Sequence, residues 1–151
     1  MKPIVASYIV NFLKPEMLHV YRQVTGLQRW KTAVLCKKRE NAERFPFDDV
    51  RVVKKSALHQ VRRWWLKSVR GEPITIAGSE ARRLREEIER SGARLLHVYF
   101  GHIGVHLLPM LVECPVPFVV SFHGADAQVD LDRPKHAAPM LRVLEDRKSV
   151  V

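Results

Sequence analysis

A three-layer α/β fold, a parallel sheet with helices on both faces, is predicted for this chain by three observations. Apolar, β-branched runs alternate with segments of helical periodicity along the sequence, the pattern of βαβ units. The strongest runs are short and continuous rather than alternating, as expected of strands covered on both faces. At 151 residues, 46% hydrophobic and 28% charged, the chain has the size and composition of one soluble globular domain, with no apolar run near the ~18 residues that span a bilayer.

Taken in order, Ile4 to Val10 is a buried strand ended by Asn11. A helix follows with Pro15 at its first position, Leu18, Tyr21 and Val24 on its apolar stripe and Gly26 as its stop. Trp30 to Cys36 is the second strand, the polar stretch 37–49 containing Pro46 a loop, and Val50 to Lys54 a short third strand. From Ala57 to Gly71 the helical wheel separates Leu58, Val61, Trp65 and Val69 from Arg63, Lys67 and Arg70, with Trp64 at the edge of the apolar arc. Ser79 is read as the N-cap of a helix carrying Ala81, Leu84 and Ile88 inward, stopped by Gly92 and flanked by Arg/Glu pairs at i,i+4. Arg94 to Phe100 is the fourth strand. The helix after it contains Pro109, which predicts a kink or break. Val116 to Phe122 is the fifth and most apolar strand, and the stretch from Pro134 or Lys135 to Leu144 a last helix. This order predicts a Rossmann-like sheet.

The net charge of +10 is asymmetric. Residues 1–78 hold 16 Lys/Arg against 6 Asp/Glu, whereas 79–151 hold 10 against 10. Such a basic half attracts phosphate or an anionic surface, or serves as a solvated face. Arg62, Arg63, Trp64, Lys67 and Arg70 form the candidate membrane contact, since aromatic and basic groups adjoin there. Cys36 and Cys114 lie in no C-x-x-C pair, so reduced thiols and a cytoplasmic location are expected, and the basic, Trp-containing segment adds the expectation of a peripheral place on the inner face of a membrane.

In an open parallel sheet ligands bind at the carboxyl ends of the strands. Asn11 to Glu16 follow the first strand, Tyr99, Phe100, Gly101 and His102 the fourth, and His123, Gly124 and Asp126 the fifth. His123 is the sharpest candidate, because an imidazole leaving a buried strand before a glycine can meet a hydroxyl or a phosphate. His102 and His106 share a helical spacing but lack the H-E-x-x-H pattern, and no metal or other cofactor is expected. No dinucleotide-binding, P-loop or G-x-S-x-G motif is present, which argues against a nicotinamide dehydrogenase, a P-loop nucleotidase or a serine hydrolase.

The segments LLHVYFGHIGVHLLPML and PFVVSFHGADA resemble the amino-terminal domain of family 4 glycosyltransferases, and LKPEMLHVYRQVTGL is similar to the stretch after the first strand in many members, with Glu16 at its acidic position. Pro15 and Met17 stand where the family pattern has Ser and Thr, and the preceding Gly pair is missing. The resemblance implies one half of a two-Rossmann-domain enzyme that moves a sugar from a nucleotide-sugar donor to a hydroxyl acceptor, lipid-linked or polysaccharide. The donor is held mainly by the other half, so this fragment is expected to be inactive alone. It assigns His123 to position or polarise the acceptor hydroxyl or the donor phosphate, Gly124 to permit close backbone approach, and Asp126 to buttress the loop. Glu16, Tyr99 and Gly101 become cleft residues. The last residues, 146–151, read like a translated synthetic oligonucleotide, so the domain is expected to occupy 1–145 with a non-native tail and a truncated frame. The alternative is a non-catalytic basic module for anionic membrane or nucleic acid; without an aromatic stacking platform, nucleic acid ranks last.

Overall fold

The computed structural model describes residues 1–53, 74–124, 134–145 and 149–150. The expected helix from Ala57 to Gly71, with Arg62, Arg63, Trp64, Lys67 and Arg70, lies outside the described residues, as does Asp126.

The strands are β1 (Ile4–Tyr8), β2 (Asn11–Phe12), β3 (Lys31–Cys36), β4 (Lys38–Arg39), β5 (Val50–Val52), β6 (Ala93–Tyr99), β7 (Phe118–Ser121) and β8 (Ser149–Val150). The helices are α1 (Leu18–Thr25), α2 (Gly78–Ser91), α3 (Gly101–Leu111) and α4 (Pro134–Glu145). Six strands form one sheet in the order β5-β3-β1-β6-β7-β8, every pairing parallel. Counted along the chain within that sheet, this is the order 3-2-1-4-5-6. The fold is Rossmann-like.

Strand periodicity divides the core into two layers. Ala6, Tyr8, Leu35, Leu96, Val98, Phe118 and Val120 pack against α2 through Ala81, Leu84 and Ile88, against α3 through Leu107, Met110 and Leu111, and against Val143 of α4. Val34, Cys36 and Tyr99 point the other way, onto Val20 and Val24 of α1 and onto Phe45. Both cysteines are buried free thiols, and burial pushes Cys36 up to about 11.

Several boundaries differ from expectation for local reasons. β1 stops at Tyr8, and the chain adds β2, which pairs in parallel with β4 inside the stretch expected to be loop. Pro15 is not at the start of α1: a turn closed by Met17 N–H to Lys14 O precedes a helix that begins at Leu18. Its buried stripe is Val20 and Val24, while Leu18 is 42% exposed. Ser79 is not the N-cap of α2 either. Ala77, in extended conformation, holds that position, and its carbonyl accepts from Glu80 and Ala81 N–H. Gly92 ends α2 in the left-handed region at φ 66, as a C-terminal glycine should. Pro109 lies inside α3 without ending it, and Arg82/Glu86 and Glu86/Arg90 meet on the exposed face of α2.

Candidate functional site

Between β1 and β6 the sheet reverses its direction of winding, so the helices that follow these strands diverge and leave a crevice at their carboxyl ends. One wall comes from the segment after β1. Ile9 N–H bonds Leu35 O, the amides of Lys37 and Lys38 both reach Val10 O, Leu13 N–H bonds Glu40 O, and Asn41 Nδ2 donates to Leu13 O at 2.9 Å. Phe12 and Leu13 are thereby buried. These bonds occupy the donors of Ile9, Leu13 and Met17, which a phosphate-cradling loop would instead present to its ligand.

The other wall is the junction of β6 and α3. Phe100 has φ 77 and ψ 131, a backbone region rarely tolerated by a residue with a side chain. Its N–H bonds Ser121 O at 2.8 Å and its carbonyl accepts from Ile103 and Gly104, so the conformation is held from both sides. Its ring stands half-exposed at the crevice.

The crevice is a cleft of about 430 Å³, within the range of small-molecule sites. Ile9, Val10, Met17, Phe100 and Ile103 supply its apolar surface, and Asn11, Lys14, Glu16, His19 and His102 its polar groups. Behind it runs a chain of rings. His19 of α1 lies 5.3 Å from His123, centroid to centroid, and Phe100 lies 5.0 Å from His123. Tyr99 is stacked on His123 at 6.2 Å and on His97 at 4.1 Å. His97 Nε2 is 2.5 Å from Ser121 Oγ. Burial, reinforced by the nearby His123, pushes His97 down to about 4, so it is neutral at physiological pH. Burial pushes the Tyr99 phenol up to about 12, with the Ser7 hydroxyl opposing.

The expected site residues thus fall into distinct places. Glu16 lines the cleft and is exposed. His123 comes up to it from β7, but its Nε2 is buried behind His19 and Phe100, so the imidazoles on the cleft surface are those of His19 and His102. Tyr99 is 1% exposed and stacks on His123 rather than forming a wall of the cleft. Gly101 is the buried first residue of α3. Gly124 has φ 37, and no described atom lies within 4 Å of where a Cβ would stand, so its backbone conformation calls for glycine rather than close approach. His102 faces the cleft, whereas His106 turns inward, its Nδ1 donating to Ile74 O at 2.7 Å. Among the described residues no three His, Cys, Asp or Glu side chains are grouped to hold a metal ion. His19, Met17 and Ile103 were absent from the sequence-derived candidates. A first-turn imidazole two residues past Met17, where the turn from Lys14 closes, was the available signal for His19.

No protein-family model matches the chain, and no curated protein matches it. One solved structure to which it is similar is that of TcCGT1 in complex with UDP, at 12% identity and a TM-score of 0.46, covering 81% of this chain and 28% of that one. The chain therefore spans just over a quarter of that neighbour's length.

Proposed function

We propose that this chain is the acceptor side of a glycosyltransferase, binding a hydroxyl acceptor in the cleft between β1 and β6 while a second Rossmann-like unit holds the nucleotide-sugar. The observation that carries the reading is the meeting of the His19–His123 ring pair with the cleft at the reversal of the sheet. The resemblance of LLHVYFGHIGVHLLPML and PFVVSFHGADA to family 4 glycosyltransferases supports it from the sequence side. In the reaction, the acceptor oxygen bonds to the anomeric carbon as that carbon's bond to the phosphate oxygen breaks. The nucleoside diphosphate leaves with the electron pair. The hydroxyl proton passes to an imidazole, which must be neutral beforehand. The reading gives that role to His19 at the surface, in ring contact with His123, which supports it from behind. The pinned loop after β1 is consistent with a donor diphosphate held elsewhere.

Calorimetry with this chain tests the division of labour: UDP-glucose and GDP-mannose should give no saturable heat. A micromolar constant for either would put the donor on this unit and overturn the division. A transfer assay on the product of independently sequenced genomic DNA tests the reaction itself. His123→Ala and His19→Ala should each lower turnover about 10²–10⁴-fold with little change in melting temperature. Unchanged turnover in both variants would sink the reading. We infer in addition that the basic half brings the enzyme to anionic membrane from the cytoplasmic side, a role tested separately below.

A further inference from the structure

The cleft between β1 and β6 is unlike a sugar or phosphate site in its chemistry. Five of its ten lining residues, Ile9, Val10, Met17, Phe100 and Ile103, are apolar and come from both walls. Polar groups stand around these side chains: Lys14 and Glu16 carry opposite charges on one strap, with the Asn11 amide and the imidazoles of His19 and His102 beside them. A bare anion would meet the Glu16 carboxylate as well as the Lys14 ammonium, and the backbone donors of Ile9, Leu13 and Met17 are already engaged. A polyol would leave hydroxyls against Met17, Phe100 and Ile103 without partners, at the cost of unpaired polar groups in an apolar enclosure. A small apolar body buries the same surface favourably. Its hydroxyl would then meet the imidazole of His19, the one polar group of the set in ring contact with His123.

From this we infer that the ligand of the cleft is a hydroxylated compound with an apolar body, aromatic or aliphatic, seated between Met17 and Phe100 with its hydroxyl toward His19. The inference deepens the transferase reading by naming the acceptor class. It is tested by binding rather than by turnover.

The experiment is a titration of the isotope-labelled chain, followed by the methyl resonances of Ile9, Met17 and Ile103. 2-Naphthol, 1-decanol, methyl glucoside and inorganic phosphate are the probes, with naphthalene as the control without a hydroxyl. Saturable shifts of these methyls with 2-naphthol or 1-decanol are expected, and which of the two binds distinguishes a ring from a chain. Met17→Lys should weaken binding at least tenfold in a chain whose amide spectrum remains folded. Ile103→Gln, from the opposite wall, should give the same loss. His19→Ala should remove the preference for 2-naphthol over naphthalene. Saturation by methyl glucoside or phosphate in place of the apolar alcohols would overturn the inference while leaving the transferase reading intact, and so would the absence of binding by every probe. Cleft binding of 2-naphthol or 1-decanol together with failure of the transfer assay would uphold the inference and remove the transferase reading.

Discussion

At the scale of single residues, two buried groups carry predictions that do not depend on the ligand. His97 is held neutral by burial, with a folded value of about 4 against 6.5 in the unfolded chain. The unfolded state therefore binds more protons between those values, and stability must fall as pH drops from about 6.5 toward 4. Thermal melts of His97→Gln should show a shallower fall over that window than the parent, and an unchanged slope would clear His97 of the effect. The second group is an ion pair in the α2 layer. Lys37 Nζ meets the Glu80 carboxylate with side chains only 5% and 1% exposed, and it also donates to His106 Nε2 at 3.2 Å. Burial and this carboxylate hold the Tyr8 phenol far above its ordinary value. Lys37→Met strands the Glu80 charge and should cost about 3–5 kcal/mol in urea unfolding, whereas Lys37→Met with Glu80→Leu should regain most of it. A double variant no more stable than the single one would contradict that account. His123 could be singled out from its place at the end of an apolar strand; Lys37 and Glu80 could not. Their partnership joins the end of β3 to the first turn of α2 across a long stretch of sequence, and nothing local records it.

At the scale of elements, α3 is informative because it departs from helical rules twice. Pro109 is exposed inside it and supplies no N–H to the turn below. Packing of Leu107, Met110 and Leu111 holds the helix together in spite of this. Pro109→Ala should raise stability by about 1–2 kcal/mol, the helical gain being partly offset by the freer unfolded chain; a loss in chemical denaturation would refute it. Gly104 is the opposite case. A Cβ there would stand 3.1 Å from Val120 Cγ1 and 3.3 Å from Val143 Cγ1, both on β-branched side chains with little room to turn. Gly104→Val should therefore destabilise by about 1–3 kcal/mol, and an unchanged unfolding midpoint would show that α3 can move away from the sheet. Apolar runs announced five of the six strands of the main sheet, β8 lying in the stretch expected to be a non-native tail, and the glycine at 92 announced the end of α2. The β2–β4 pair escaped notice because two-residue strands carry no periodicity. The starts of α1 and α2 were misplaced because Pro15 and Ser79 offered good terminal chemistry that the surrounding turns overrode.

At the scale of the whole molecule, the +10 charge acts over distances longer than any contact, and its excess lies in residues 1–78. Sedimentation with vesicles should show binding to anionic but not zwitterionic lipid, weakened by salt and by Arg62→Glu with Arg63→Glu, each basic residue near the surface contributing about 1 kcal/mol. Equal partitioning onto both lipids, or none, would remove the membrane role. Among the described residues no helix is long and apolar enough to cross a membrane. The amino-acid sequence by itself determined the α/β class and the succession of the first five main-sheet strands, because burial on two faces and helical amphipathicity are written in local spacing. Tertiary structure alone decided that β1 and β6 are neighbours and that winding reverses between them. It alone brought His19 of α1 into ring contact with His123 and left Tyr99 beneath them. Strand order and the meeting of helix with loop are settled by how the apolar faces cover one another, a property of the assembled layers that no segment carries alone.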